Sequence, residues 1–211
     1  MTATKPRQLP FVLGLTGSIG MGKSTVCGFL TDLGIALLDS DKVVHELYSP
    51  GGAAVGPIGA LFPSVVVDGA VSRPALSPLV LGPGNEAAMA ALEAVVHPLV
   101  SARRASFIAE RRAAGDGLVV LDIPLLYETG HAAECDAVAV VSTGDAALQR
   151  ARVLARPGMT PEKLDAILSR QVPDEEKRRR ADYVIDTSTG LEAARAQVQS
   201  LVRKLLQQQQ Q

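Results

Sequence analysis

Residues Gly17-Ser18-Ile19-Gly20-Met21-Gly22-Lys23-Ser24 fit the pattern G-x-x-x-x-G-K-[ST]. An apolar run of buried-strand type, Phe11-Val12-Leu13-Gly14-Leu15, precedes them. After them Val26, Phe29, Leu30 and Leu33 recur at helical spacing, and Gly34 is a stop signal. The order strand, glycine loop, helix constrains the fold more than any other feature of the chain. Glycines let the backbone curl until successive N–H groups point at one place, and they let a phosphate approach without a Cβ in the way. The loop runs into a helix N-terminus, which carries about half a positive charge. Lys23 is spaced to reach the β- and γ-phosphates of a bound nucleotide, and the Ser24 hydroxyl to bind Mg²⁺. The motif specifies a nucleoside triphosphate and leaves the reaction open.

A chain of 211 residues suits one domain with insertions better than two full domains. Aromatic residues make up only 3%, so aliphatic side chains and alanine must fill the core. The net charge of −1 gives no global case for nucleic acid or an acidic membrane as partner. Two cysteines, Cys27 and Cys135, make no disulfide framework, which fits a reduced, cytoplasmic setting. Residues Met1 to Pro10 lack the apolar stretch of a signal peptide. The longest uncharged run, Leu47 to Val67, contains Pro50, Pro57 and Pro63 and makes a poor membrane span. A soluble protein is expected.

Ile35-Ala36-Leu37-Leu38 reads as a second buried strand, ending at Asp39-Ser40-Asp41, where a helix begins. Ligands of open α/β sheets sit at the carboxyl ends of the strands. Asp39 and Asp41 can therefore serve metal positioning and proton abstraction, or they can simply cap the helix. Residues 49–85 are rich in Pro and Gly and read as the start of an inserted subdomain, with a hairpin turn at Asp68-Gly69. The alanine-rich stretch Glu86 to Ala114 has helical periodicity and is expected to break at His97-Pro98. His97 can cap the following helix, contact a substrate phosphate or be purely structural. Leu118 to Leu121 is a buried strand ending in Asp122, the position of a metal-assisting carboxylate or of an ordinary loop aspartate. Ala137 to Val141 is another buried strand, and the alternation implies a parallel sheet.

From Arg150 to Arg180 there are seven arginines and two lysines. Thr160-Pro161 starts a helix there as N-cap and first helical residue. A cationic helix–turn–helix suits a lid that closes on phosphates; a solvated basic face or an RNA-contacting patch is the alternative. Tyr183-Val184-Ile185 gives a last strand and Leu191 to Leu206 a closing helix, with residues 207–211 expected to be a disordered tail.

Taken together, the motifs resemble the dephospho-coenzyme A kinase family over roughly Val12 to Gly190. The segments that carry the resemblance are Leu15 to Thr25, Asp39-Ser40-Asp41, His97-Pro98, Pro124-Leu125-Leu126-Tyr127-Glu128, Arg152 to Arg156, Gln171, Lys177 and Ala181 to Asp186. The resemblance implies an α/β P-loop kinase fold, a parallel five-stranded sheet flanked by helices. Its core would be residues 11–44, 116–144 and 181–206, with a helical coenzyme-binding subdomain at about 45–115 and a lid at about 145–180. It implies transfer of the γ-phosphate of ATP to the ribose 3′-hydroxyl of dephospho-CoA, with Mg²⁺ as cofactor, in the cytoplasm. Asp41 matches the general base, and Lys23 and Arg152 the catalytic cations. ATP contacts fall on Gly17, Ser18, Ile19, Gly20, Met21, Gly22, Lys23, Ser24, Thr25 and Arg156. Substrate contacts fall on Asp39, Asp41, His97, Leu125, Gln171 and Lys177, and metal contacts on Ser24, Asp39 and Asp122.

Three positions depart from the family pattern. Ser18 replaces a second glycine, Pro157 an acidic residue, and Thr187-Ser188 an Asn-Ser pair. Rival readings are another small-molecule or nucleotide kinase, and a nucleotide switch. The switch would need an Asn-Lys-x-Asp stretch, which the sequence lacks.

Overall fold

The computed structural model describes residues 10–209; the readings for residues 1–9 and for Gln210 and Gln211 lie outside the described residues. In chain order the elements are β1 (Phe11–Thr16), α1 (Lys23–Asp32), β2 (Ala36–Asp39), α2 (Ser40–Tyr48), α3 (Val55–Leu61), β3 (Val66–Val67), β4 (Ala70–Val71), α4 (Arg73–Val80) and α5 (Glu86–Ala113). They continue with β5 (Leu118–Asp122), β6 (Ala137–Ser142), α6 (Ala146–Leu154), α7 (Pro161–Leu168), α8 (Asp174–Arg180), β7 (Tyr183–Asp186) and α9 (Leu191–Gln208). The chain divides into two compact units, one holding the residues up to Leu38 and from Ile108 onward, the other Asp39–Phe107. One boundary falls inside β2 and the other inside α5.

The first unit is built on a parallel five-stranded sheet of order β2-β5-β1-β6-β7. Every residue of β1, β5 and β6 is buried, which is why these strands read as unbroken apolar runs rather than alternating ones. Alternate strand residues, Leu13 and Leu15 of β1, Val120 of β5, Ala139 and Val141 of β6 and Ile185 of β7, share one cluster. Val26, Phe29 and Leu30 of α1 and Val198, Leu201 and Leu205 of α9 complete it. Gly34 takes a φ of 74° and ends α1, as its position after the periodic run implies. The expected tail is partly helical: α9 continues through Gln207 and Gln208.

The second unit is a helical assembly with one small hairpin. β3 and β4 pair antiparallel, with Val67 opposite Ala70. Asp68 and Gly69 between them both have positive φ, 50° and 76°. Those angles match the tight turn that an Asp-Gly pair favours.

The structure corrects one expectation here. α5 does not break at His97-Pro98; it runs for 28 residues straight through Pro98. Its buried side is Leu92, Val96, Val100, Arg104 and Phe107, a stripe spaced by three or four residues that crosses the proline without interruption. Pro98 itself is exposed. Proline in a helix interior costs on the order of 3 kcal/mol, and the continuous buried stripe outweighs that local cost. Replacing Pro98 with alanine restores a backbone donor on a solvent-facing turn. Pro98→Ala is expected to raise stability by about 1–3 kcal/mol, read as a higher midpoint in urea denaturation.

Candidate active site

β1 is the central strand, with β5 hydrogen-bonded on one side and β6 on the other. The strand order reverses direction at β1, and a crevice opens beyond its carboxyl end at such a point. The glycine loop occupies that position. It is packed so tightly that side chains are excluded. A Cβ on Gly17 would stand 2.6 Å from the Val141 carbonyl oxygen of β6, and one on Gly20 would stand 2.4 Å from Cγ2 of Val153 on α6. Gly20 and Gly22 also have positive φ, 80° and 89°. Ser18 is buried, and among the described residues Asp68 is the one non-glycine with positive φ. The serine that replaces the family's second glycine therefore fits without backbone strain.

Gly22 is the N-cap of α1 and offers no side chain to its amides. That end of the helix is left to an anionic ligand. The Lys23 ammonium lies 2.5 Å from Asp122 Oδ1, and the Cys27 thiol donates to Asp122 Oδ2 at 3.4 Å. Ser24 and Thr25 are exposed on the first turn of α1. Among the described residues no three His, Cys, Asp or Glu side chains gather into a metal site.

A cavity of about 320 Å³ opens beside the loop, lined by Gly20, Gly22 and Thr25, by Arg152 and Arg156, and by Thr187, Gly190, Leu191 and Ala194. Arg152 donates through Nη1 to Thr187 Oγ1 at 3.1 Å and through Nη2 to the Thr187 carbonyl at 2.8 Å. The Thr187 hydroxyl in turn donates to the Met21 carbonyl of the loop at 2.8 Å. Thr187, one of the departures, is thus the bracket between the α6 arginine and the glycine loop. Arg156 stays exposed near the start of the α6–α7 turn, next to Pro157. Met21 is further held through its sulfur, which accepts from the Thr143 amide at 3.3 Å.

Thr160 accepts from the Lys163 amide and Pro161 follows it, so α7 begins as its sequence indicates. Gln171, just beyond α7, accepts at Oε1 from the Ile19 amide at 3.2 Å. Lys177 is fully buried, and its ammonium forms an ion pair with Glu128 Oε1 at 2.8 Å. Glu128 Oε1 also accepts from the Val172 amide at 2.8 Å. Lys177 therefore joins α8 to the segment after β5, and in this conformation it faces no open cleft. Beside it the Arg180 guanidinium lies 4.3 Å over the Tyr127 ring. Burial pushes the Tyr127 phenol above its ordinary range despite the opposing pull of Arg180, so it adds no charge to the site.

The remaining candidates lie on other elements. Leu125 is exposed after β5. In the other unit, Asp39 accepts at Oδ1 from the amides of Asp41 and Lys42, at 2.9 and 3.1 Å, and so caps α2. Asp41 is exposed in the first turn of that helix. His97 is exposed in mid-α5, so the reading of it as a cap falls with the break it depended on. The structure brings Lys23, Asp122, Arg152, Arg156 and Gln171 around the loop and its cavity. It adds Gln149, whose Nε2 donates to the Ile19 carbonyl at 2.8 Å, and Glu128, partner of Lys177. Glu128 was within reach of the sequence, as the acidic residue of a quoted motif. Gln149 carries no sequence signal, because its partner is a backbone carbonyl.

A dephospho-CoA kinase family model matches residues 11–193. The chain is 56% identical over 194 residues to a dephospho-CoA kinase of Mesorhizobium japonicum, covering 92% of this chain and 96% of that protein. Among solved structures it is similar to TT1252 from Thermus thermophilus, with a TM-score of 0.79, 34% identity and coverage of 92% and 97%. It is also similar in fold to dephospho-CoA kinase from Campylobacter jejuni, with a TM-score of 0.63, 22% identity and coverage of 92% and 96%.

Removing one partner of the Lys177–Glu128 pair strands a buried charge. Lys177→Met is expected to cost about 3–5 kcal/mol in denaturant unfolding, and adding Glu128→Gln to recover much of it. Equal losses in the single and double variants would show that the pair is not coupled.

Proposed function

The chain belongs to the dephospho-CoA kinase family, and from that premise we propose that it transfers the γ-phosphoryl group of ATP to the ribose 3′-hydroxyl of dephospho-CoA. The products are CoA and ADP, and the step is the last in coenzyme A synthesis. The observation that supports this reading best is the pairing of the glycine loop with the cavity that Arg152 and Arg156 share with it. The phosphates lie along Gly20 to Thr25, at the amides of the α1 N-terminus. The nucleoside lies in the cavity against Leu191 and Ala194.

The chemistry is an in-line displacement. The 3′-oxygen bonds to the γ-phosphorus as the bond from that phosphorus to the β–γ bridging oxygen breaks, and ADP leaves. The proton of the hydroxyl goes to the Asp41 carboxylate. Asp41 suits this task because it is exposed at a helix start whose cap, Asp39, fixes the local backbone. Lys23 exchanges Asp122 for the phosphates and stabilises the charge that spreads over the transferred group, as does Arg152. Mg²⁺, when bound with ATP, supplies further neutralisation of the phosphate charge. The donor set fits such an ion, since Mg²⁺ is usually held by substrate phosphates, water and one or two protein oxygens rather than by a protein cage. Ser24, with Asp122 or Asp39, would hold it. Residues 145–180 form the lid that excludes water, and the unit Asp39–Phe107 carries the coenzyme contacts, His97 among them; Leu125 adds one after β5.

Among the described residues no helix is long and apolar enough to cross a membrane, and we assign the reaction to the cytoplasm. The test is coupled ADP release from Mg-ATP with dephospho-CoA, adenosine, AMP or no acceptor, with the product checked by mass. Turnover restricted to dephospho-CoA, with one added phosphate, is expected; release with another acceptor only would reject the substrate. Asp41→Asn is expected to bind ATP nearly normally and to lower kcat by about 10²–10⁴-fold. A variant that keeps its turnover would remove Asp41 as the base.

A further inference from the structure

Ile19, at the crest of the glycine loop, has both of its peptide groups bound to glutamine side chains. Its carbonyl accepts from Gln149 Nε2 at 2.8 Å, and its N–H donates to Gln171 Oε1 at 3.2 Å. The backbone groups fix the amide orientations, because a carbonyl needs the nitrogen and an N–H needs the oxygen. The two glutamines bracket the first part of the cationic segment. Gln149 lies on α6 and is only 6% exposed, while Gln171 follows α7. Between them lie Arg150, Arg152, Arg156 and Arg170. Both ends of the stretch that carries these four arginines are therefore fastened to one residue of the phosphate loop.

The fastening has a further strand through Arg152. That residue is one helical turn beyond Gln149, so α6 transmits the position of Ile19 to it rigidly. Its guanidinium is held by Thr187, which donates back to Met21. Val153 adds contact, packing where a Cβ of Gly20 would be. Ile19, Gln149, Arg152, Thr187 and Met21 close a ring of contacts.

We propose that Gln149 and Gln171 are positioning residues that latch the arginine-bearing segment to Ile19, so that the loop amides and Arg152 reach the transferring phosphoryl group in register. The latch rests on the kinase reading above. It acts through a donor at one end and an acceptor at the other. Substitution by glutamate separates the two roles, since glutamate keeps an acceptor oxygen and loses the donor.

The test compares wild type, Gln171→Met, Gln171→Glu and Gln149→Glu. The readouts are kcat and KM for ATP with dephospho-CoA, the ratio of acceptor-free ADP release to transfer, and the thermal midpoint. Gln171→Met removes the acceptor and is expected to lower kcat about tenfold and raise the ratio several-fold, because a misplaced arginine transfers less and a looser segment admits water. Gln171→Glu is expected to restore kcat to within about threefold of wild type while raising KM for ATP, since the added charge repels phosphate in ground and transition state alike. Gln149→Glu sets a carboxylate against the Ile19 carbonyl and is expected to lose kcat at least as severely as Gln171→Met.

Equal kcat loss in both Gln171 variants would overturn the latch, as would a Gln171→Met enzyme with wild-type kcat and ratio. If Gln149→Glu fails to fold, the Gln171 pair decides alone. A wild type inactive on dephospho-CoA would reject the proposed function instead. The latch would then be judged by acceptor-free ADP release, which must rise in Gln171→Met and not in Gln171→Glu.

Discussion

The close approach of the glycine loop to its neighbours sets the terms for the rest of the molecule. Side chains are excluded at Gly17 by the Val141 carbonyl and at Gly20 by Val153. The loop is therefore pressed against β6 and α6 with almost no freedom of its own. Its polar contacts follow from that proximity: Thr143 donates to Met21 sulfur, Thr187 to the Met21 carbonyl and Gln149 to the Ile19 carbonyl. A loop held this way keeps its amides aimed before any nucleotide arrives, so little reorganisation is needed when charge moves during transfer. The central placement of β1 is part of the same constraint, since it puts a fully buried strand on either side of the loop's base.

The sequence carried the sheet because both faces of β1, β5 and β6 are covered, and a strand buried on both faces is written as an apolar run. It carried the loop because the pattern fixes spacing and glycine positions at once. It did not carry the continuity of α5, where local proline chemistry and tertiary burial disagree and burial prevails. Asp39 shows a different limit. Capping and metal service both place a carboxylate at the start of a helix, and only the folded chain shows that Oδ1 takes two amides. Gln149 lies beyond sequence reasoning altogether, because its importance depends on which turn of α6 lands against a backbone carbonyl.

Charge counting met a similar limit in the segment from Arg150 to Arg180. The sequence presents nine cations of equal standing. The structure sorts them by burial. Lys177 lies inside with Glu128, and Arg180 covers Tyr127. Arg150 pairs with Asp165 on the exposed surface, where such a pair contributes little. Of the nine, Arg152 and Arg156 line the cavity.

The anchoring of α8 gives that sorting a mechanical meaning. Asp174 accepts from Ser142 at 2.7 Å, and the Val172 amide is held by Glu128. The chain from Val172 onward is thereby fixed to β6 and to the segment after β5. On the other side, the start of α6 is fixed by its Asp145 cap and by Gln149. Motion of the cationic segment relative to the loop must then be taken up between these anchors. The α6–α7 turn, where Gly158 has a φ of 73°, is free of them. Arg156 lies at the start of that turn, whereas Arg152 sits on the anchored helix and is already held by Thr187. The two arginines thus differ in restraint: Arg152 is held to the glycine loop through Thr187, and Arg156 stays exposed at the turn.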